Sequence, residues 1–185
     1  MTVPRSSEQG LGLDYPVRVL FLCTGNSARS QIAEALMKRK GGNRFVVASA
    51  GVEPATEVRA EAVAALREIG IDWADKRPKG FDSIIASQWD LVITLCDRST
   101  ESCSALPNRP VTAHWGIPDP AEATGADRRA LAYQQVVSLL SWRIDLMLAL
   151  RLDNFESLVL EERLRAIAAT PRSDAAALDS RSEAP

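Results

Sequence analysis

The chain reads as blocks of two periods. Val17 to Leu22 is, apart from Arg18, a continuous apolar run of the kind that forms a buried parallel strand, and Phe45 to Ala50 and Asp90 to Leu95 repeat it. Val111 to Trp115 predicts a fourth, shorter strand. Between these runs the spacing becomes helical. Gln31 to Lys40, opened by Ser30, places Ile32, Ala33, Leu36 and Met37 on one face and stops at Gly41-Gly42. Val58 to Ile69 aligns Ala62, Val63, Leu66 and Ile69 before Gly70. A long helix from Asp127 aligns Val137, Leu140, Ile144 and Met147, and Phe155 to Ala168 aligns Leu160, Leu164 and Ile167. Phe81 to Ala86 predicts a short helix, Asp97 to Ser104 a short helix or loop, and Ile71 to Lys79 an irregular charged stretch. Strands alternating with helices predict an α/β sandwich.

Composition adds bounds. With 46% apolar and 25% charged residues in 185, the chain suits one well-buried soluble domain. The net charge of −2 and the lack of a basic, aromatic-interleaved stripe argue against a nucleic-acid partner. Met1 to Tyr15 has no apolar signal core, and the stretch Val136 to Leu152 is interrupted by Arg143 and Asp145, so neither export nor a membrane span is expected. A cytoplasmic monomer is the default. Residues 1–15 read as a flexible leader, 16–152 as the main domain, 153–169 as an additional C-terminal helix and 170–185 as a disordered tail.

Chemistry concentrates where the first strand ends. Cys23-Thr24-Gly25-Asn26-Ser27-Ala28-Arg29-Ser30 is a polar loop between strand and helix. The backbone N–H groups of such a loop and the N-terminus of the helix converge on one spot suited to a tetrahedral oxyanion. Arg29, separated from the thiol by five residues, can return its planar fork to the same anion. The positive surroundings and the Ser30 hydroxyl are expected to lower the Cys23 thiol and make it a nucleophilic thiolate. The plainer alternative is a small buried residue at a strand end. Cys96 ends another strand and, if the strands are parallel, shares the sheet edge of Cys23. Cys103 follows seven residues later, about 10.5 Å away on an intact helix, so a disulfide between the two requires that segment to rearrange. One histidine, His114, and no Cys-x-x-Cys leave no zinc ligand set, and no metal is expected. His114 is assigned to packing or hydrogen bonding at a strand end, and Trp89, Trp115 and Trp142 to core or loop anchoring.

Cys-x5-Arg-Ser after a first parallel strand resembles the low-molecular-weight tyrosine phosphatase fold, and Cys23 to Gln31 is similar to its arsenate reductase branch, over about residues 16–150. The resemblance implies a four-stranded parallel sheet ordered 2-1-3-4 in a three-layer sandwich. It implies that Thr24 to Ser30 bind arsenate and that Cys23 attacks it. It further implies a relay through Thr-Leu-Cys96-x6-Cys103, regenerated by thioredoxin without a bound cofactor. The family usually has Pro after the last of these cysteines, where this chain has Ser104. Asp119, in Gly116-Ile-Pro-Asp-Pro120, matches the family's general acid; a merely turn-forming Asp is the alternative. Ala121-Glu122 follow it, in place of the aromatic wall that phosphotyrosine phosphatases carry there. Asn26, Glu34 and Ser49 match ligand positions of a potassium site found in some reductases, but Lys79 stands near where a further acid is expected. Asn26 as a loop brace, with Glu34 on a solvated helix face, is the other reading. A phosphatase using only Cys23, Arg29 and Asp119, and a non-enzymatic oxyanion or redox sensor, remain beside the reductase reading.

Overall fold

A computed structural model describes residues 16–150 and 157–171. Four parallel strands, β1 (Val17–Cys23), β2 (Phe45–Gly51), β3 (Leu91–Thr94) and β4 (Val111–His114), form one sheet in the order β2-β1-β3-β4. β1 lies centrally and pairs on both sides, which is why its run is apolar on both faces. The register aligns Cys23 with Gly51, Leu22 with Thr94, and Thr94 with His114. All four strand ends therefore reach the same edge.

The two faces differ in thickness. α1 (Arg29–Gly41), α2 (Ala60–Glu68), α3 (Ala126–Ala149) and α4 (Ser157–Ala169) pack around Val17, Val19, Phe21 and Cys23. Leu20 and Leu22 point the other way, into a smaller cluster with Ile84, Trp89, Val92 and Leu106. That face is covered by single turns of 3-10 helix, at Phe81–Ser83, Asp97–Ser99 and Glu101–Ala105. The helix expected over Phe81 to Ala86 is thus one 3-10 turn, and no intact helix joins Cys96 to Cys103. The leader, the segment 151–156 that holds the start expected at Phe155, and the tail beyond Pro171 lie outside the described residues.

α1 buries more than the face its spacing predicted: Gln31, Glu34 and Ala35 are buried with Ile32, Ala33, Leu36 and Met37. α3 buries Arg143, whose Nη1 donates to the Trp115 carbonyl (2.5 Å) and Nη2 to that of Ala168 (3.0 Å). Trp115, fully buried, donates from Nε1 to the Leu164 carbonyl (2.9 Å). These bonds fasten α4 to the end of β4. No helix among the described residues is long and apolar enough to cross a membrane.

Gly51 sets how closely β2 approaches the loop after β1. A Cβ there would lie 2.6 Å from the Thr24 carbonyl oxygen and 2.7 Å from the Asn26 nitrogen, both backbone atoms that cannot rotate aside. Gly51→Ala is expected to destabilise the protein by about 1–3 kcal/mol, the usual range for overpacking, and to weaken phosphate binding. Urea unfolding and calorimetric titration with inorganic phosphate measure the two effects.

Candidate active site

The loop between β1 and α1 is held by its carbonyls. Cys23, Thr24, Gly25 and Ser27 accept from the backbone N–H groups of Val52 (3.2 Å), Glu53 (2.9 Å), Ala55 (2.9 Å) and Arg59 (2.8 Å). A trans peptide sends its C=O and the following N–H in opposite directions. The N–H groups of Thr24, Gly25, Asn26 and Ala28 are thereby turned inward, and that of Asn26 reaches Cys23 Sγ at 3.2 Å. No side chain caps α1 at Ala28, so its first N–H groups face the same spot. The residues expected to bind an oxyanion thus form one cradle.

Asn26 is the brace of that cradle. It is fully buried and takes a positive φ of 48°, which asparagine tolerates better than most residues. Its Nδ2 donates to Ser30 Oγ and Ser49 Oγ, both at 2.8 Å. Its Oδ1 accepts from the Lys79 N–H (2.7 Å) and Gln31 Nε2 (3.0 Å). With Ser30 Oγ accepting from Asn26, its proton is available to Cys23 Sγ, 2.9 Å away. Gln31 is fixed in turn by Trp73, whose Nε1 donates to Gln31 Oε1 (2.7 Å). The irregular stretch before Lys79 is therefore a buttress, and the roles of Gln31, Trp73 and the Lys79 N–H were missed because their partners lie far off in sequence.

Glu34 is buried, which overturns the solvated-face alternative. It accepts from Ser49 Oγ (2.6 Å), Lys38 Nζ (2.5 Å) and Lys79 Nζ (3.0 Å). Burial works against its charge, but the bonds from Lys38 and Ser49 and the charge of Lys79 outweigh it and hold the carboxyl below its usual range. Asn26, Glu34 and Ser49 are brought together as their potassium-like pattern implied. The Glu34 carboxylate is already neutralised by lysine, and Asn26 turns its Nδ2, a donor, toward Ser49, so the set does not fit a further cation.

Two expectations for the loop are corrected. Burial raises the Cys23 thiol above its ordinary value; the Ser30 hydroxyl and N–H, the Asn26 N–H and the Arg29 charge oppose this without overcoming it. Arg29 does not turn its fork into the cradle but spends it elsewhere: Nη1 donates to the Ile117 carbonyl and Nη2 to Asp119 Oδ2, both at 2.8 Å. Asp119, 37% exposed at its side chain, also accepts the Ala121 N–H through Oδ1 (3.0 Å).

Cys96 stands at the same edge as Cys23. Its Sγ lies 3.2 Å from Thr24 Oγ1 and 3.4 Å from Ser99 Oγ. Burial raises this thiol, but the hydroxyls of Ser99 and Thr24, the Ser99 N–H and the Arg29 charge together bring it below its ordinary value. Cys103 packs on the opposite side of the sheet, against the cluster of Leu20 and Leu22. Burial pushes its thiol up to about 11. All three thiols are free.

Comparison with known proteins agrees with this geometry. The sequence pattern of the low molecular weight phosphotyrosine protein phosphatase family matches residues 18–154. The chain belongs to this family. It is an enzyme, and its relatives include arsenate reductases. That of Halalkalibacterium halodurans is 43% identical over 114 residues, 62% of this chain and 81% of the relative. That of Bacillus subtilis is 41% identical over 119 residues, 64% and 85% of the two chains. Among solved structures, an arsenate reductase in its phosphate-binding state superposes with a TM-score of 0.61 at 26% identity, over 70% of this chain and 94% of that one. A low molecular weight protein tyrosine phosphatase from T. tengcongensis gives 0.59 at 28% identity, over 70% and 95%. The thioredoxin-dependent arsenate reductase of Corynebacterium glutamicum gives 0.56 at 29%, over 71% and 60%.

Within this family site the environments of the thiols set their order of reactivity. Iodoacetamide is expected to alkylate Cys96 at a rate that levels off at lower pH than that of Cys103, which keeps rising toward about 11; peptide mass spectrometry resolves the two. Glu34, held low in the folded state, contributes stability that is present above the ordinary carboxylate value and lost as pH falls through its lower folded value. Glu34→Gln should cost about 1–3 kcal/mol at neutral pH and flatten that acid limb, as read by unfolding at several pH values.

Proposed function

We propose that this enzyme reduces arsenate to arsenite through a relay of its three cysteines. The observation that carries the reading is Cys96 held against Thr24 of the oxyanion loop, beside Cys23. A phosphatase needs no thiol there.

Arsenate enters the cradle and takes the Arg29 fork from Asp119. The bound dianion, itself a base, takes the proton of the Cys23 thiol; the thiolate attacks arsenic, and one arsenic oxygen leaves as water with a proton that Asp119, once freed from Arg29, has taken from solvent. The Arg29 charge released from Asp119 favours that thiolate against the burial that raises this thiol. Cys96, as thiolate, then attacks the Cys23 sulfur. The Cys23–Cys96 bond forms, the sulfur–arsenic bond breaks, and its electron pair stays on arsenic, which leaves as arsenite. Cys103 attacks Cys96, forming Cys96–Cys103 and restoring the Cys23 thiolate. A thioredoxin-class dithiol reduces this last disulfide, and its own thiols become the disulfide. Because Cys103 starts on the opposite face of the sheet, the 3-10 turns after Cys96 must unwind for that step.

The test follows NADPH oxidation by the enzyme with thioredoxin, thioredoxin reductase and arsenate. Arsenate-dependent turnover is expected, lost to a single turnover in Cys103→Ser, and slowed by roughly 10²–10⁴-fold in Asp119→Asn, the range of general acid catalysis. Absence of arsenate turnover, with para-nitrophenyl phosphate hydrolysed equally by enzyme and Cys103→Ser, would sink the reductase reading and leave a phosphatase. The absence of an aromatic wall at Ala121-Glu122 speaks for a small inorganic oxyanion.

A further inference from the structure

His114, the single histidine, ends β4 with its ring wedged among three elements. Nδ1 lies 2.8 Å from the hydroxyl of Thr94, a buried residue at the end of β3, and 3.4 Å from that of Thr100. Nε2 lies 3.2 Å from Asp97 Oδ1. A Cβ on Gly116 would come within 2.7 Å of Nε2, so the ring occupies space that any other residue there would claim. Asp97 and Thr100 belong to the turns between Cys96 and Cys103, whereas Thr94 belongs to the sheet. A carboxylate only accepts, so Nε2 carries the proton to Asp97 and Nδ1 accepts from Thr94, an arrangement that neutral imidazole satisfies.

We propose that His114 is a positioning residue that latches the segment from Asp97 to Cys103 to the sheet, keeping the half-buried Cys103 packed against the cluster of Leu20 and Leu22 until the segment is called on to move. Its use in catalysis rests on the relay reading. The latch itself is a property of the reduced protein. The segment has other ties: Arg98 pairs with Glu53 (2.5 Å) between two exposed side chains, and Ser99 bonds the Cys96 carbonyl (2.7 Å) within the first turn. Past Ser99, the Thr100 contact and the burial of Cys103 and Leu106 hold the second turn down.

Accessibility of Cys103 reads the latch directly. In reduced protein without arsenate, His114→Ala is expected to raise the rate of Cys103 alkylation about fivefold or more, the population shift of one lost hydrogen bond of ordinary net strength. Cys23 alkylation should not change. The pair Asp97→Ala with Thr100→Val, on the segment's own side, should give the same rise, and adding His114→Ala to it should give no more. His114→Gln, which keeps a donor toward Asp97, should restore part of the protection. An unchanged Cys103 rate in both His114→Ala and the Asp97, Thr100 pair overturns the latch, and additive effects overturn its action through these contacts. If the unaltered enzyme shows no arsenate-dependent turnover while these alkylation rates shift as expected, the relay falls and the latch stands.

Discussion

The structure around Cys23 depends on one buried amide. Asn26 makes four hydrogen bonds, two from Nδ2 and two to Oδ1, and so fills the capacity of its side chain both as donor and as acceptor. The four bonds run to three parts of the fold: two to the start of α1, one to the end of β2, and one to the approach to Gly80. An unsatisfied amide in that position would be costly, so the four partners are mutually enforced. The left-handed backbone at Asn26 and the inward N–H groups of its neighbours follow from that closure.

The site is therefore built inward from long-range ties and not by the loop alone. Glu34 extends the network one step further, through Ser49, and its charge is met by two lysines. On the other side of the cradle, Cys96 is positioned by Thr24 and Ser99, both hydroxyls. Cys23 and Cys96 thus sit in different electrostatic settings at the same sheet edge: one wholly enclosed, the other half-enclosed and well supplied with donors.

What could be read in advance follows the range of each interaction. The strand of Val17 to Leu22 and the loop-to-helix turn from Cys23 to Ser30 are local, and both form where they were read. α1 was only half legible, because Glu34 and Lys38 four residues apart look the same on a solvated face as over a buried one; only Lys79 and Ser49, distant in sequence, decide between them. The raised Cys23 thiol was misjudged for a similar reason. Positive residues nearby are visible in the sequence, but the depth of burial and the turning of Arg29 toward Asp119, ninety positions on, are not. Gln31 entered only as the last residue of the loop motif and Trp73 not at all, since a polar residue in a helix and an aromatic in an irregular stretch have many ordinary uses. The Ile71 to Lys79 stretch is irregular as expected, and its importance lies in what it touches.

The pairing of Arg29 with Asp119 also bears on selectivity. The resting enzyme carries its own competing anion, tethered to the same chain and therefore at high local concentration. Any incoming anion must do better at Arg29 than a carboxylate already in place, and singly charged ions such as chloride, which lack several oxygens to engage the cradle at once, are poorly equipped to do so. On the proposed reading the same side chain serves later as the proton donor; in the resting protein its carboxylate acts as a threshold that multiply charged tetrahedral ions are equipped to pass and the abundant simple halides are not.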